Sequence, residues 1–374
     1  MRSATDHVSW VEALSPWPEE FGLGRMLELL AALSEPQRSF PAIHVVGTNG
    51  KSTTARLTEA LLQAEGLRVG TYTSPHVTGW AERIRVGGEE ADFERAVGRV
   101  RPEAERLGAT QFEALTAAAL AEFAASEVDV AVVEAGLGGR LDATNVLRAP
   151  VVVLTNVALD HTDVLGDTRE AIAAEKLAVL RAGATAVLGE PEWEEVARAG
   201  GAGRVVVTGR ANLALAIAAA EAFLGQTVDA HAADHVELPG RLERVSEEPL
   251  EIHDGAHNLA AVAQLLARVP RADYVVVASI LRDKDARGML AALAALGSRL
   301  IATSSRNSRA LPPGDLARLA EPYFSHVEAI EDPGQAVSRA RETAKPDGAV
   351  LVTGSLYLLA DLASIRTSSV PWQP

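Results

Sequence analysis

Apolar residues over the first 225 positions fall into short runs, which alternate with longer stretches where they recur every three or four positions. "AIHVVG" (42–47) reads as a buried strand, "TTARLTEALLQAEG" after it as a helix, and "RVGTYTS" (68–74) as a second strand. "TQFEALTAAALAEFAA" has the pattern of a strong amphipathic helix, "VDVAVVEAG" (128–136) that of a third strand, and "PVVVLTNV" (150–157) that of a fourth. A helix is expected over "EAIAAEKLAVLRAG" (170–183), then weaker strands at "ATAVLGE" and "RVVVTG", then the helix "ANLALAIAAAEAFLG". Strands separated by helices predict a parallel, helix-covered sheet. Near 236–250 the pattern breaks: "VELPGRLERVSEEPL" mixes Pro, Gly and both charges and reads as a linker. Alternation restarts with "LEIHDGAHN", "DYVVVASIL", "RLIATSS", "HVEAIED" and "GAVLVTGSLY". The expected organisation is an α/β domain over 1–239, a linker over 240–247 and a smaller α/β domain over 248–374.

Composition narrows the function classes. The chain has 374 residues, 48% of them apolar and 23% charged, as a folded globular protein of two domains would. A formal charge of −15 argues against broad binding to nucleic acid or to anionic membranes. There is no cysteine, which removes disulfides, thiolate metal sites and a cysteine nucleophile, and fits a cytoplasmic protein. "MRSATDHVSW" lacks the apolar core of a signal peptide, and no long uncharged apolar run occurs. No self-association stripe stands out, so a monomer is the default expectation.

Chemistry enters at "HVVGTNGKSTT". A buried strand runs into a Gly-containing turn and then into a helix start, where backbone N–H groups point at phosphate oxygens. Gly47, Thr48, Asn49, Gly50, Lys51, Ser52 and Thr53 are the candidate phosphate loop. Lys51 would reach the terminal phosphates, and the Ser52 or Thr53 hydroxyl could touch Mg²⁺. The usual loop has glycine five positions before Gly50; that position is Val45, and the turn glycine is Gly47. Such a loop calls for a metal-holding acid at the end of a neighbouring strand, and Glu134 ends "VDVAVVE".

One lysine stands out. Only Lys51, Lys176, Lys284 and Lys345 are lysines among 35 Lys and Arg residues. Lys176 therefore keeps an amine where the chain ordinarily places a guanidinium.

The motifs "HVVGTNGKST", "YTSPHV", "ERIRV", "EAGLGGRLDATNV", "ALDHTDVLG", "AAEK", "PGRLE" and "DGAHN" occur in this order. The chain thereby resembles the folylpolyglutamate synthase/dihydrofolate synthase family of the Mur-ligase superfamily over about residues 21–362. The resemblance implies a P-loop-containing Mur-ligase-like ATPase domain with a parallel helix-covered sheet, followed by a smaller Rossmann-like α/β domain. It implies ATP as co-substrate, held by Gly47–Thr53 and, from across a cleft, by Asn212, Arg241 and Asp254. It implies two Mg²⁺ ions on Ser74, Glu134, His161 and Lys176, the lysine carbamylated by CO₂. Lys51, Lys176 and His161 would be catalytic. Thr110, Gln111, Phe112 and Glu113, with Leu141, Asp142 and Ala143, would line the pterin pocket; His257 and "ILRDKD" would lie near the domain interface.

The implied reaction joins L-glutamate to dihydropteroate, to the glutamate tail of a reduced folate, or to both. ATP phosphorylates the acceptor carboxylate, glutamate's amine attacks the acyl phosphate, and domain closure keeps water out. Arg140-Leu141-Asp142 favours the dihydropteroate reaction. Four departures from the family pattern stand out: Ser52 where glycine is common, no glycine after Lys176 in "EKLAVL", a short segment between Lys176 and Arg241, and Arg210 before Ala211-Asn212, where other polar residues are common. A murein-type or other amino-acid ligase is the alternative, but it calls for a UDP-sugar domain, and only about 40 residues precede the loop. A nucleotide-binding regulator would give no reason for Ser74, Glu134, His161 and Lys176 together.

Overall fold

The computed structural model describes residues 6–16, 18 and 20–368, with the side chains of 366–368 excepted. The chain divides into two compact units. One holds the residues up to Ser74 and Trp80–Val236; the other holds Pro75–Gly79 and Glu237 onward.

Among the described residues, the first unit contains strands β1 (Ala42–Val46), β2 (Val69–Tyr72), β3 (Ile84–Val86), β4 (Glu89–Glu90), β5 (Val130–Glu134), β6 (Val151–Leu154), β7 (Thr185–Leu188) and β8 (Arg204–Val207). They form one sheet in the order β4-β3-β2-β5-β1-β6-β7-β8. Every pair from β2 to β8 is parallel, and β3 and β4 add an antiparallel edge. The inner strands β1, β2, β5 and β6 are buried at every position, which is why they read as continuous apolar runs rather than alternating ones. Sequence order reverses around β1, which lies between β5 and β6. In such sheets ligands bind outside the carboxyl ends of the strands at that reversal.

The second unit forms a sheet in the order β13-β12-β11-β14-β10-β9, from β9 (Glu243–Glu247), β10 (Leu250–His253), β11 (Tyr274–Ala278), β12 (Arg299–Ala302), β13 (His326–Ala329) and β14 (Ala349–Thr353). All its pairs are parallel except β9 against β10.

Three expectations are corrected. The segment read as a linker, 240–247, contains β9; charged residues at an edge strand hide its strand character, because one side faces water. The helix Gln111–Ala125 is buried nearly all round, with Ala114–Leu120 fully inside, so it is a core helix and not an amphipathic one. The helix carrying Lys176 spans Arg169–Leu177 and stops short of residue 183, because Leu177, Val179 and Leu180 turn into the core. In the second unit, Val77 of the Pro75–Gly79 segment joins a cluster with Val275, Val350, Leu356 and Leu359.

Candidate active site

The phosphate loop follows β1 and opens the helix Lys51–Ala64. Gly50 caps that helix in the left-handed region at φ 82°, where a side chain is strained. A Cβ there would lie 2.5 Å from Asn212 Oδ1, so Asn212, first residue of the helix Asn212–Leu224, stands directly against the loop. Gly47 likewise has no room, since a Cβ would run into Thr155 Oγ1.

The end of β6 supplies the loop's back wall. Thr48 N–H donates to Asn156 O at 2.9 Å, and Asn49 N–H donates to Asn156 Oδ1 at 3.1 Å. Asn156 Nδ2 and Thr155 Oγ1 both donate to Asn49 O, at 2.8 and 2.7 Å. Asn156 was not singled out from the sequence. Its signal was its place just past a buried strand beside the loop strand.

Glu134 ends β5 and is buried. Ser74 N–H donates to Glu134 Oε2 at 3.0 Å, and Lys51 Nζ lies 3.8 Å from Oε1 and 3.4 Å from Thr48 O. Three predicted site residues therefore meet at the carboxyl ends of β1, β2 and β5. Lys176 is 4% exposed, and its Nζ donates to Gly47 O at 3.0 Å. Burial, then the nearby Lys51 cation, pulls its pKa down to about 7, while Asp160, Asp142 and Glu175 pull the other way. His161 sits in the left-handed region at φ 50° on the loop after β6; its ring lies 3.9 Å from Asp160 Oδ1. Among the described residues no three His, Asp or Glu side chains form a ready metal cage. The donor set nonetheless suits a hard divalent cation: a buried carboxylate and a hydroxyl residue lie side by side, with Lys176, an amine held partly neutral, one phosphate-loop glycine away.

The "GLGGR" loop locks Lys176 in place. A Cβ on Gly139 would lie 2.5 Å from Lys176 O, and Arg140 N–H donates to Glu175 O at 3.1 Å. Arg140 Nε also pairs with Glu175 Oε2 at 3.1 Å.

The predicted pterin residues lie on two segments joined through Gly136-Leu137. A Cβ on Gly136 would lie 2.5 Å from the Phe112 ring, and Leu137 N–H donates to Asp142 Oδ2 at 2.7 Å. Several of these side chains are engaged within the protein. Thr110 and Glu113 form a capping box, and Glu113 also accepts from Arg25 Nε at 2.8 Å. Gln111 Nε2 donates to Val11 O. Asp142 caps Thr144 and is buried beside Ala143, and burial raises its pKa. Thr144 Oγ1 in turn lies 2.8 Å from Nε2 of His44, a buried histidine on β1 whose apolar run gives no sign of a polar contact. Leu141 is 44% exposed and Phe112 half-buried, so these two are the set's apolar surfaces open to a ligand.

In the second unit Arg241 and Asp254 come together. Asp254 accepts from Leu242 N–H and Ala256 N–H, both at 2.9 Å, and burial raises its pKa while the Arg241 charge opposes the rise. His257 Nδ1 lies 2.9 Å from Gly255 O in the same turn.

The Mur ligase middle domain matches residues 45–225, and the Mur ligase glutamate ligase domain matches 240–356. The chain is 33% identical to the dihydrofolate synthase/folylpolyglutamate synthase of Bacillus subtilis strain 168, over 96% of this chain and 97% of that one. It superposes on E. coli FolC in complex with DHPP and ADP with a TM-score of 0.87 and 31% identity, covering 98% of each chain. A bifunctional folylpolyglutamate synthase/dihydrofolate synthase solved with Mn, AMPPNP and L-glutamate bound matches with a TM-score of 0.87 and 32% identity, over 97% of this chain and 99% of that one.

Proposed function

The chain belongs to the dihydrofolate synthase/folylpolyglutamate synthase family of Mur ligases, and from that premise we propose the reaction and the part each residue plays in it. The protein is an ATP-dependent ligase that joins L-glutamate to dihydropteroate, to the glutamate tail of a reduced folate, or to both. It uses a divalent metal; our reading is two Mg²⁺ ions, a monomer and a cytoplasmic location. Among the described residues no helix is long and apolar enough to cross a membrane.

The observation that carries the site assignment is the meeting of Lys51, Ser74 and Glu134 at the carboxyl ends of three adjacent strands, with Lys176 held on Gly47. Backbone N–H groups of Gly47–Thr53 bind the ATP phosphates, and Lys51 places its charge on the terminal ones. Asn212 in the first unit, and Arg241 and Asp254 in the second, bind the rest of ATP. Ser74, Glu134, His161 and Lys176 as its carbamate would hold the metal. When bound, the metal neutralises charge shared by the phosphates and the acceptor carboxylate.

The acceptor carboxylate oxygen attacks the γ-phosphorus and ADP leaves, giving an acyl phosphate. The glutamate amine attacks the acyl carbon, loses a proton and expels inorganic phosphate. Phe112 and Leu141 offer the pterin its apolar surface, and Asp142 and Glu113 shape that surface through their caps. Dihydropteroate is the preferred acceptor in this reading, from Arg140-Leu141-Asp142. Phosphate release with dihydropteroate and with tetrahydrofolate, each with and without L-glutamate, tests it. Release that needs both glutamate and dihydropteroate supports the assignment, and turnover with tetrahydrofolate alone removes the dihydrofolate synthase half.

A further inference from the structure

Glu190 follows β7 and is 3% exposed, an unusual place for a carboxylate. Four donors surround it. Val157 N–H and Trp193 Nε1 donate to Oε2 at 2.9 and 2.7 Å; Arg169 donates to Oε1 at 3.0 Å, and Arg210 pairs with the same oxygen. Arg169 closes a ring: its Nε donates to Val157 O at 3.0 Å, and its guanidinium lies over the Trp193 ring, 5.1 Å from the centroid. Both the N–H and the C=O of residue 157 are thus fixed by one carboxylate and its partner.

Trp193 lies on the same short segment as Glu190, and the other three donors each lead to a different part of the nucleotide site. Val157 follows Asn156, which holds Thr48 and Asn49. Arg169 opens the helix that carries Lys176. Arg210 lies two residues before Asn212, which stands against Gly50. β7 is already secured by its pairing with β6 and β8, so the carboxylate is not needed to hold its strand. Charge-assisted hydrogen bonds to a buried carboxylate are strong, and removing one partner leaves charge uncompensated.

We propose that Glu190 is a positioning residue for ATP: through Val157, Arg169 and Arg210 it fixes the phosphate loop, the Lys176 helix and the Asn212 segment in register with one another. The inference rests on the reading of those three segments as the nucleotide site. Glu190 does not itself touch the nucleotide in this scheme.

Glu190→Gln tests it, because the amide keeps the shape but removes the carboxylate shared by two guanidiniums, leaving Arg169 with Glu192 alone as an ion partner among the described residues. The expected result is a rise of about tenfold or more in KM for ATP and in Kd for ADP, with KM for glutamate and for the pterin within about twofold of wild type. Glu190→Asp recovers part of the loss, and Arg210→Gln shows a smaller rise of the same selectivity. Unchanged ADP binding in Glu190→Gln, with only a lower melting temperature, marks a purely structural carboxylate and overturns the proposal. Wild-type protein that binds no ADP overturns the nucleotide-site reading itself. If Glu190→Gln fails to fold, Arg210→Gln decides by the same ADP titration, and an unchanged Kd overturns the proposal.

Discussion

The ε-amine of Lys176 lies 3.0 Å from the carbonyl oxygen of Gly47, so a buried lysine is hydrogen-bonded to the first glycine of the phosphate loop. With burial bringing its pKa down to about 7, this amine is far more readily neutral near neutral pH than an ordinary lysine. A neutral amine is the form that adds CO₂, and arginine cannot supply it.

Lys176→Ala is therefore expected to lose about ten- to a hundredfold in kcat, a loss of the order seen when a metal's supporting groups are removed. High bicarbonate with a short carboxylic acid should restore part of it. Lys176→Arg should stay inactive under the same conditions. Initial-rate assays check both, and full activity in the arginine variant would return Lys176 to a structural role.

The same burial has a stability consequence with a definite sign. The folded-state pKa lies below the unfolded value, so between about pH 7 and the usual lysine range the unfolded chain binds more protons, and stability rises with pH. Below about pH 7 the full cost of charging a buried amine is present, about 5 kcal/mol on the scale of the shift. Lys176→Met removes that cost and also removes the donor to Gly47 O, worth about 1 kcal/mol. Metal-free Lys176→Met should be more stable than wild type at pH 6 by up to about 4 kcal/mol, the difference of those two figures, with the advantage shrinking as pH rises. Urea titrations at pH 6 and pH 9 measure the difference; an advantage that grows with pH contradicts the assignment.

Gly50→Ala combines two penalties, a side chain at φ 82° and a Cβ 2.5 Å from Asn212 Oδ1. Backbone strain alone costs about 1–2 kcal/mol. Because the clash falls on the loop's own contact with Asn212, ADP affinity should drop at least about tenfold. Calorimetric titration with ADP checks it, and wild-type affinity would place the nucleotide elsewhere.

The phosphate loop was legible in the sequence because its chemistry is contiguous: a buried strand, a turn and a helix start lie within a dozen residues. Lys176 was legible for a different reason, the scarcity of lysine in an arginine-rich chain. What stayed hidden depends on distant partners. β9 carries Glu, Arg and Ser because it is a sheet edge, and so it read as linker. The β3–β4 edge is too short to show a period, and only Gly87-Gly88, both at positive φ, mark its turn. Glu190 gave little local sign, since of its four partners only Trp193 is near in sequence, and Val157, Arg169 and Arg210 come from three distant stretches of chain. Glu113 and Asp142, expected to line the pterin pocket, have side chains occupied in helix caps, which only the folded partners reveal.

Mass spectrometry of the product tests the central claim most directly. Purified protein is incubated with MgATP, dihydropteroate and L-glutamate. The expected product is dihydropteroate heavier by one glutamyl residue, formed in step with ADP and phosphate and absent when ATP or glutamate is omitted. ATP hydrolysis at an unchanged rate without glutamate, with no glutamylated product from dihydropteroate or from tetrahydrofolate, would contradict the assignment.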